Sequence, residues 1–394
     1  MSADMKTNHD TRSEHRSAAL VRLLSIGAGA AVANSYYNQA FLGHLTADFG
    51  LVAGAAAVVP VLTQAGNALG VLFLAPLGDR LERKSLILVT LVALVVALIG
   101  AALSPGFLWL ATASFAVGLF ATVAQQLVPL AVHLAPPAER GRILGKVTGG
   151  ILIGILLART VSGTISDLWG WPFVFWFAAA LTIAIGTALA LWLPRVQPTT
   201  DLSYPRLIGS LWTLVRTHSF LRQAVAVQFL IFAAFIGFWS NLSLLLIEPP
   251  YQLGGTAVGL LALVGVAGAL VAPIAGGLAD RRGPAVVVSI GAALVVIAFA
   301  IFGFCQGSLV SLIIGILVMD LAVQSSQVAN QARVYALDPT ARSRLNTVFM
   351  ATMLLGGAVG AGLGGAAYAE WGWTGTCAFG ALSAGLALVL SRKS

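Results

Sequence analysis

APLGDRLERK at residues 75–84 and GGLADRRG at residues 276–283 close two long apolar stretches with the same kind of loop, and Asp79 and Asp280 in them stand 201 residues apart. The displacement recurs elsewhere. Pro137, Arg140 and Arg142 return as Pro339, Arg342 and Arg344, and Trp169-Gly170-Trp171 returns as Trp371-Gly372-Trp373, each displaced by 202. An offset held across three loops is the mark of an internal repeat. The chain therefore reads as one six-helix unit used twice in parallel, an arrangement whose halves can rock about a central cavity.

The stretches between these loops supply the helices. Of the 394 residues 58% are hydrophobic and 9% charged, and the mean hydropathy is +0.92. That much apolar surface requires lipid as solvent. With about 20 apolar residues per crossing, twelve spans fit. The expected organisation is an N-terminal tail over 1–19, a six-helix bundle over 20–193, a linker over 194–222 and a second six-helix bundle over 223–394.

The linker is marked by Pro194, Pro198, Pro205 and four arginines. Lysines and arginines cluster in every second loop, whereas Asp48, Asp167, Glu248 and Glu370 occupy the others. By the positive-inside rule the basic loops, the linker and both termini are expected to be cytoplasmic, with the chain in the cell (inner) membrane.

The net charge of +8 belongs to this topology, where basic residues meet anionic headgroups, and does not indicate nucleic acid. Cys305 and Cys377 lack metal-ligand spacing and suggest no disulfide framework. No nucleotide loop, metal cluster or set of residues with catalytic spacing is visible, so neither an enzyme nor a cofactor is expected. The expected partners are the bilayer, a small-molecule substrate and, as a candidate coupling ion, the proton. A monomer is expected.

The paired loops resemble the G-x-L-a-D-R-x-G-R-K loop of the major facilitator superfamily. The first copy keeps Leu77, Asp79, Arg80, Arg83 and Lys84; the second keeps Gly276, Leu278, Asp280, Arg281 and Gly283. Ala75 and Glu82 stand where the family usually has glycine. The resemblance implies an all-α membrane fold of twelve helices in two pseudo-repeats. It also implies that Asp79, Arg80, Arg83, Asp280 and Arg281, with Arg140 and Arg342, latch the cytoplasmic ends of the halves. ANSYYNQAF (33–41), GILLARTVSG (154–163) and NQARVYALDPTARSRLNTVFM (330–350) are similar to the arabinose-efflux-like or drug-efflux-like permeases. That branch implies export of small organic molecules. Ala158-Arg159 replaces the Gly-Pro pair common on helix 5 of drug:proton antiporters, and Ser114 stands where many proton-coupled members have arginine.

Arg159 departs from the repeat, whose matching position is Ala361. An arginine at a helix centre costs about 2.5 to 3.5 kcal/mol to insert and marks function by default. Asp320 is the second anomaly, matched by Gly118, and it heads a stripe through Gln324, Gln327 and Gln331 at helical spacing. Polar groups aligned on a membrane helix need water or partners. The expectation is an Arg159–Asp320 charge pair across the halves, with Asp320 as the proton carrier if there is one.

Gln125, Asn34, Tyr37, Asn38 and Asn241 are further candidates for the cavity wall, while His44, His133 and His218 fall near helix ends, where solvation is expected. The rival readings are a proton-independent facilitator, an organic-anion carrier using Arg159, and a non-transporting membrane sensor.

Overall fold

The computed structural model describes residues 2–52, 54–136, 139–197, 203–270, 283–338 and 341–392, without the side chains of 2–17 and 266–270. Its regular elements are all helical among the described residues. They are α1 (Ser2–Ala33), α2 (Leu42–Asp48), α3 (Val58–Phe73), α4 (Leu77–Arg80), α5 (Arg83–Ala102), α6 (Phe107–Phe120), α7 (Val123–Leu134), α8 (Arg140–Trp169) and α9 (Trp171–Trp192). After the linker come α10 (Tyr204–Thr217), α11 (Ser219–Ile247), α12 (Gly255–Leu270), α13 (Pro284–Phe304), α14 (Leu309–Tyr335) and α15 (Arg342–Ser391). Nine described helices are long and apolar enough to cross a membrane. One of them, α15, contains two spans, and Ala18–Ala33 and Gly255–Gly265 are shorter apolar helices, so the set fits twelve crossings.

The repeated Trp-Gly-Trp explains how two helix pairs turn. Gly170 has φ +89° and Gly372 φ +59°, a region open to glycine and strained for other residues. In each copy the second tryptophan pins the turn with its indole. Trp171 donates to Asp48 Oδ2 at 2.8 Å, and Trp373 donates to the Phe302 carbonyl at 3.1 Å.

Small residues set the packing in both halves, because without a hydrophobic drive between helices in lipid, close backbone approach supplies the contact. A Cβ added to Gly150 or Gly154 of α8 would run into the backbone of Ser25 or Gly29 of α1; one added to Gly356 or Gly360 of α15 would run into Phe229 or Ala233 of α11. These are the same interface, once per repeat. The linker contains the amphipathic helix α10, whose Leu207, Leu211 and Leu214 are buried; a periodicity of four and three was present there among the prolines and arginines. Likewise the polar N-terminal tail continues α1 as helix.

One break falls where the sequence is polar. After Ala33 the first span stops, passes through a single 3-10 turn, Tyr37–Ala40, and resumes as α2. Asn34 Nδ2 donates to the carbonyls of Ala30 and Ala31, while Asn67 and Gln64 of α3 donate to Ser35. Side-chain amides thus take over backbone partners that the broken helix releases, as irregular backbone in a membrane requires.

Candidate functional site

The break in the first span delivers Tyr36 and Gln39 to the middle of the molecule, where they meet Arg159 of α8. Arg159 is 1% exposed. Its Nε donates to Gln39 Oε1 at 2.8 Å, and its guanidinium carbon lies 4.1 Å from the centroid of the Trp239 ring, 5.2 Å from Tyr36 and 5.7 Å from Phe235. Tyr36 and Gln39 come from the first half and Phe235 and Trp239 from the second. The guanidinium thus joins the halves through ring faces, which attract a desolvated cation.

Asp320 of α14 lies in the same cluster. It is 5% exposed, within electrostatic reach of Arg159 and facing the Trp239 indole. No N···O contact within 4.0 Å joins it to Arg159, because the described ion pairs lie elsewhere. The charge pair expected from sequence is therefore an indirect juxtaposition, with Trp239 against both members. Asp320 Oδ2 and the Trp239 indole N–H face one another without a close hydrogen bond, and Arg159 Nη2 is buried without one. Gly265 of α12 makes the room: a Cβ there would strike the Asp320 carboxylate.

Below this cluster the molecule is hollow. A cavity of about 270 Å³ is lined by Tyr36, Asn67, Gln125, Phe232, Phe235, Gln324, Gln327, Gln331, Tyr335, Asn346 and Met350, among others. A second hollow of about 470 Å³ shares Gln125, Val128, Tyr335 and Asn346 with it, and its wall includes Asp79, Arg83, His133, Arg140 and Arg342. This second hollow, the mouth beyond the shared wall, lies at the end bearing the basic loops. Gln331 Nε2 and the Tyr335 hydroxyl both donate to Asn346 Oδ1, at 2.9 and 2.8 Å, which fixes the lower wall.

The other candidates fall in different places. Asn38 Nδ2 donates to Thr63 Oγ1 at 2.8 Å and Asn241 Nδ2 to Thr376 Oγ1 at 3.0 Å, so both, like Asn34, bind within their own halves. Tyr37 lines an apolar groove along α1 and α8. Among the loop residues, Arg83 Nη2 lies 3.3 Å from Asp79 Oδ1 and Arg83 Nε donates to the Gly78 carbonyl at 3.1 Å, contacts made inside the first half. Arg80 is exposed, Arg140 and Arg342 flank the cavity mouth, and Asp280 and Arg281 lie outside the described residues. Sequence reading missed Asn67, Phe235, Tyr335 and Asn346. Asn67 repeats the signal that marked Arg159, a polar residue in an apolar run, whereas Phe235 carries none.

A match to the Major Facilitator Superfamily model covers residues 24–332 and 229–393. The chain is a major facilitator superfamily transporter. It is 40% identical over 379 residues to the uncharacterized transporter YgaY of Escherichia coli O157:H7, covering 95% of this chain and 94% of that one. To the probable transporter SCO4007 of Streptomyces coelicolor it is 35% identical, covering 90% and 83%. A solved structure of the nucleoside transporter NupG superposes with a TM-score of 0.72 at 15% identity, over 95% of this chain and 97% of that one, a likeness of fold. Multi-pass insertion and a small-molecule substrate follow from this membership.

Proposed function

We propose that this transporter exports a small organic solute by alternating access, coupled to proton movement through Asp320, with 20–193 and 223–394 as the moving bodies and 194–222 as a cytoplasmic linker. The positive-inside rule places the basic end, and with it the cavity mouth, in the cytoplasm. Among the described residues the cavity wall carries amides and phenols beside Phe232, Phe235 and Met350 and no charged side chain. Such a wall suits an uncharged solute with hydroxyl or amide groups and one apolar face, since an ion brought there would lack a counter-charge.

The observation that carries the coupling is Asp320 itself. It is an ionisable group buried beside Arg159, has an oxygen without a close hydrogen bond, and heads the glutamine stripe into the cavity. Intramembrane carboxylates of this kind serve proton relays. The organic-anion reading draws on the unpartnered Arg159 Nη2, but Tyr36 and Phe235 stand between that group and the cavity. An anion reaches it only if these rings turn aside.

The test is made with purified protein in liposomes, on a solute first found by thermal stabilisation. A proton gradient should drive its accumulation, and Asp320→Asn should abolish that while preserving exchange of solute for solute. Gradient-driven accumulation by Asp320→Asn would place the coupling on another group and overturn the role given to Asp320. Stabilisation without any flux would favour the sensor.

A further inference from the structure

The end of the molecule opposite the cavity mouth is sealed by two helix seams between the halves, α8 against α12 and α3 against α15. In the first, Asp167 at the end of α8 reaches across to the start of α12. Its Oδ1 accepts from Gly255 N–H at 2.9 Å, and its Oδ2 accepts from Thr256 N–H at 2.7 Å and the Thr256 hydroxyl at 2.6 Å. His44 Nε2 of α2 lies 3.3 Å from Oδ1; this histidine, expected to be solvated, has its Nδ1 buried. Two turns deeper, Thr160 Oγ1 donates to the Gly259 carbonyl at 2.9 Å. These bonds fasten one half to the other.

The repeat supplies an internal control. Asp167 corresponds to Ala369 (369 − 167 = 202), Gly163 to Gly365 (365 − 163 = 202) and Gly255 to Gly54 (255 − 54 = 201). The second seam shows the same backbone approach, since a Cβ on Gly54 would meet the Gly365 carbonyl and the Ala369 methyl. It has no carboxylate in the place of Asp167.

We infer that Asp167 is a one-sided latch: its carboxylate, clasping Gly255 and Thr256 across the halves, holds the sealed end shut, and its release is required for the cavity to open there. A carboxylate is suited to this, for it accepts several charge-assisted bonds at once and matches the positive end of α12. It loses the three bonds to α12 when the halves part. The inference rests on alternating access but not on the solute or the proton, so either of those readings can fail while this one stands.

The experiment uses full-length protein with Cys305 and Cys377 replaced by serine and a single reporter, Gln324→Cys, in the cavity. An impermeant maleimide is applied from the Asp167 side of oriented proteoliposomes. Asp167→Ala should raise the labelling rate roughly tenfold, the equivalent of about 1.4 kcal/mol on the closed-to-open equilibrium. Thr256→Val, which removes one of the three donors on α12, should raise it less. A thermal melt of each variant is the second readout. A lowered Tm with unchanged labelling would make Asp167 a helix cap only and overturn the latch, as would no change in either.

Discussion

The two seams of the sealed end share a backbone geometry and differ in chemistry. On both, glycines bring helices from opposite halves into backbone contact, Gly163 against Gly255 and Gly365 against Gly54. Along α8, however, Arg159 and Asp167 flank that contact, and along α15 their counterparts are Ala361 and Ala369. The duplicated fold supplies closure twice. Charged side chains flank one of these contacts and not the other.

The largest effect should come from the charges in the α8 seam. Arg159→Gln or Asp320→Asn leaves a buried charge without the opposite charge beside it, a loss of up to about 3 kcal/mol, the lower bound for a directly bonded buried pair, whereas Ala361→Gln on the other seam introduces a polar group without stranding an ion. Because Arg159 and Asp320 meet through Trp239 and without direct contact, the double variant should be non-additive by about 0.5 to 3 kcal/mol. Additive losses in thermal or denaturant unfolding would separate the two residues.

Next in size, Gly163→Val and Gly365→Val should both prop the sealed end open, each by about 1 to 3 kcal/mol of overpacking, read as increased labelling of Gln324→Cys from that side. Equal effects would show that the glycine contacts are equivalent, and an effect from one alone would break the symmetry claimed for them.

Smaller again, Thr160→Val removes one bond to Gly259 and should favour opening by about 0.5 to 1.5 kcal/mol. The comparison residue is Gly362, which makes no such bond, so Gly362→Ala should do less. Least of all on folding, Asn346→Ala frees Gln331 and Tyr335 at the cavity wall; since these groups lie beside a wet cavity, stability should change little while solute affinity falls several-fold in a binding titration.

Much of this architecture was readable from the chain. Loop motifs at a constant offset, apolar runs of spanning length and charge in alternate loops each depend on local composition, and among the described residues the apolar runs are helices. Arg159 and Asp320 stood out for the same reason, as ions in apolar runs. Their relation did not, because the intervening Trp239 and the Gly265 opening are facts of tertiary packing. Asp167 was seen only as an acid in an outer loop, although comparison with Ala369 held the clue. The helix within 194–222 was obscured by prolines, which mark a helix start as readily as a linker.

The reciprocal motion of the two ends is the core of the account, and pulsed electron-spin distance measurement on two labelled pairs reads it directly. One pair, Leu168→Cys with Leu309→Cys, spans the sealed end; the other, Arg142→Cys with Ser343→Cys, spans the basic end. The account predicts that the first pair is short where the second is long, and that Asp167→Ala lengthens the first and shortens the second in the same proportion of molecules. Distances at one end that shift while those at the other stay fixed would contradict it.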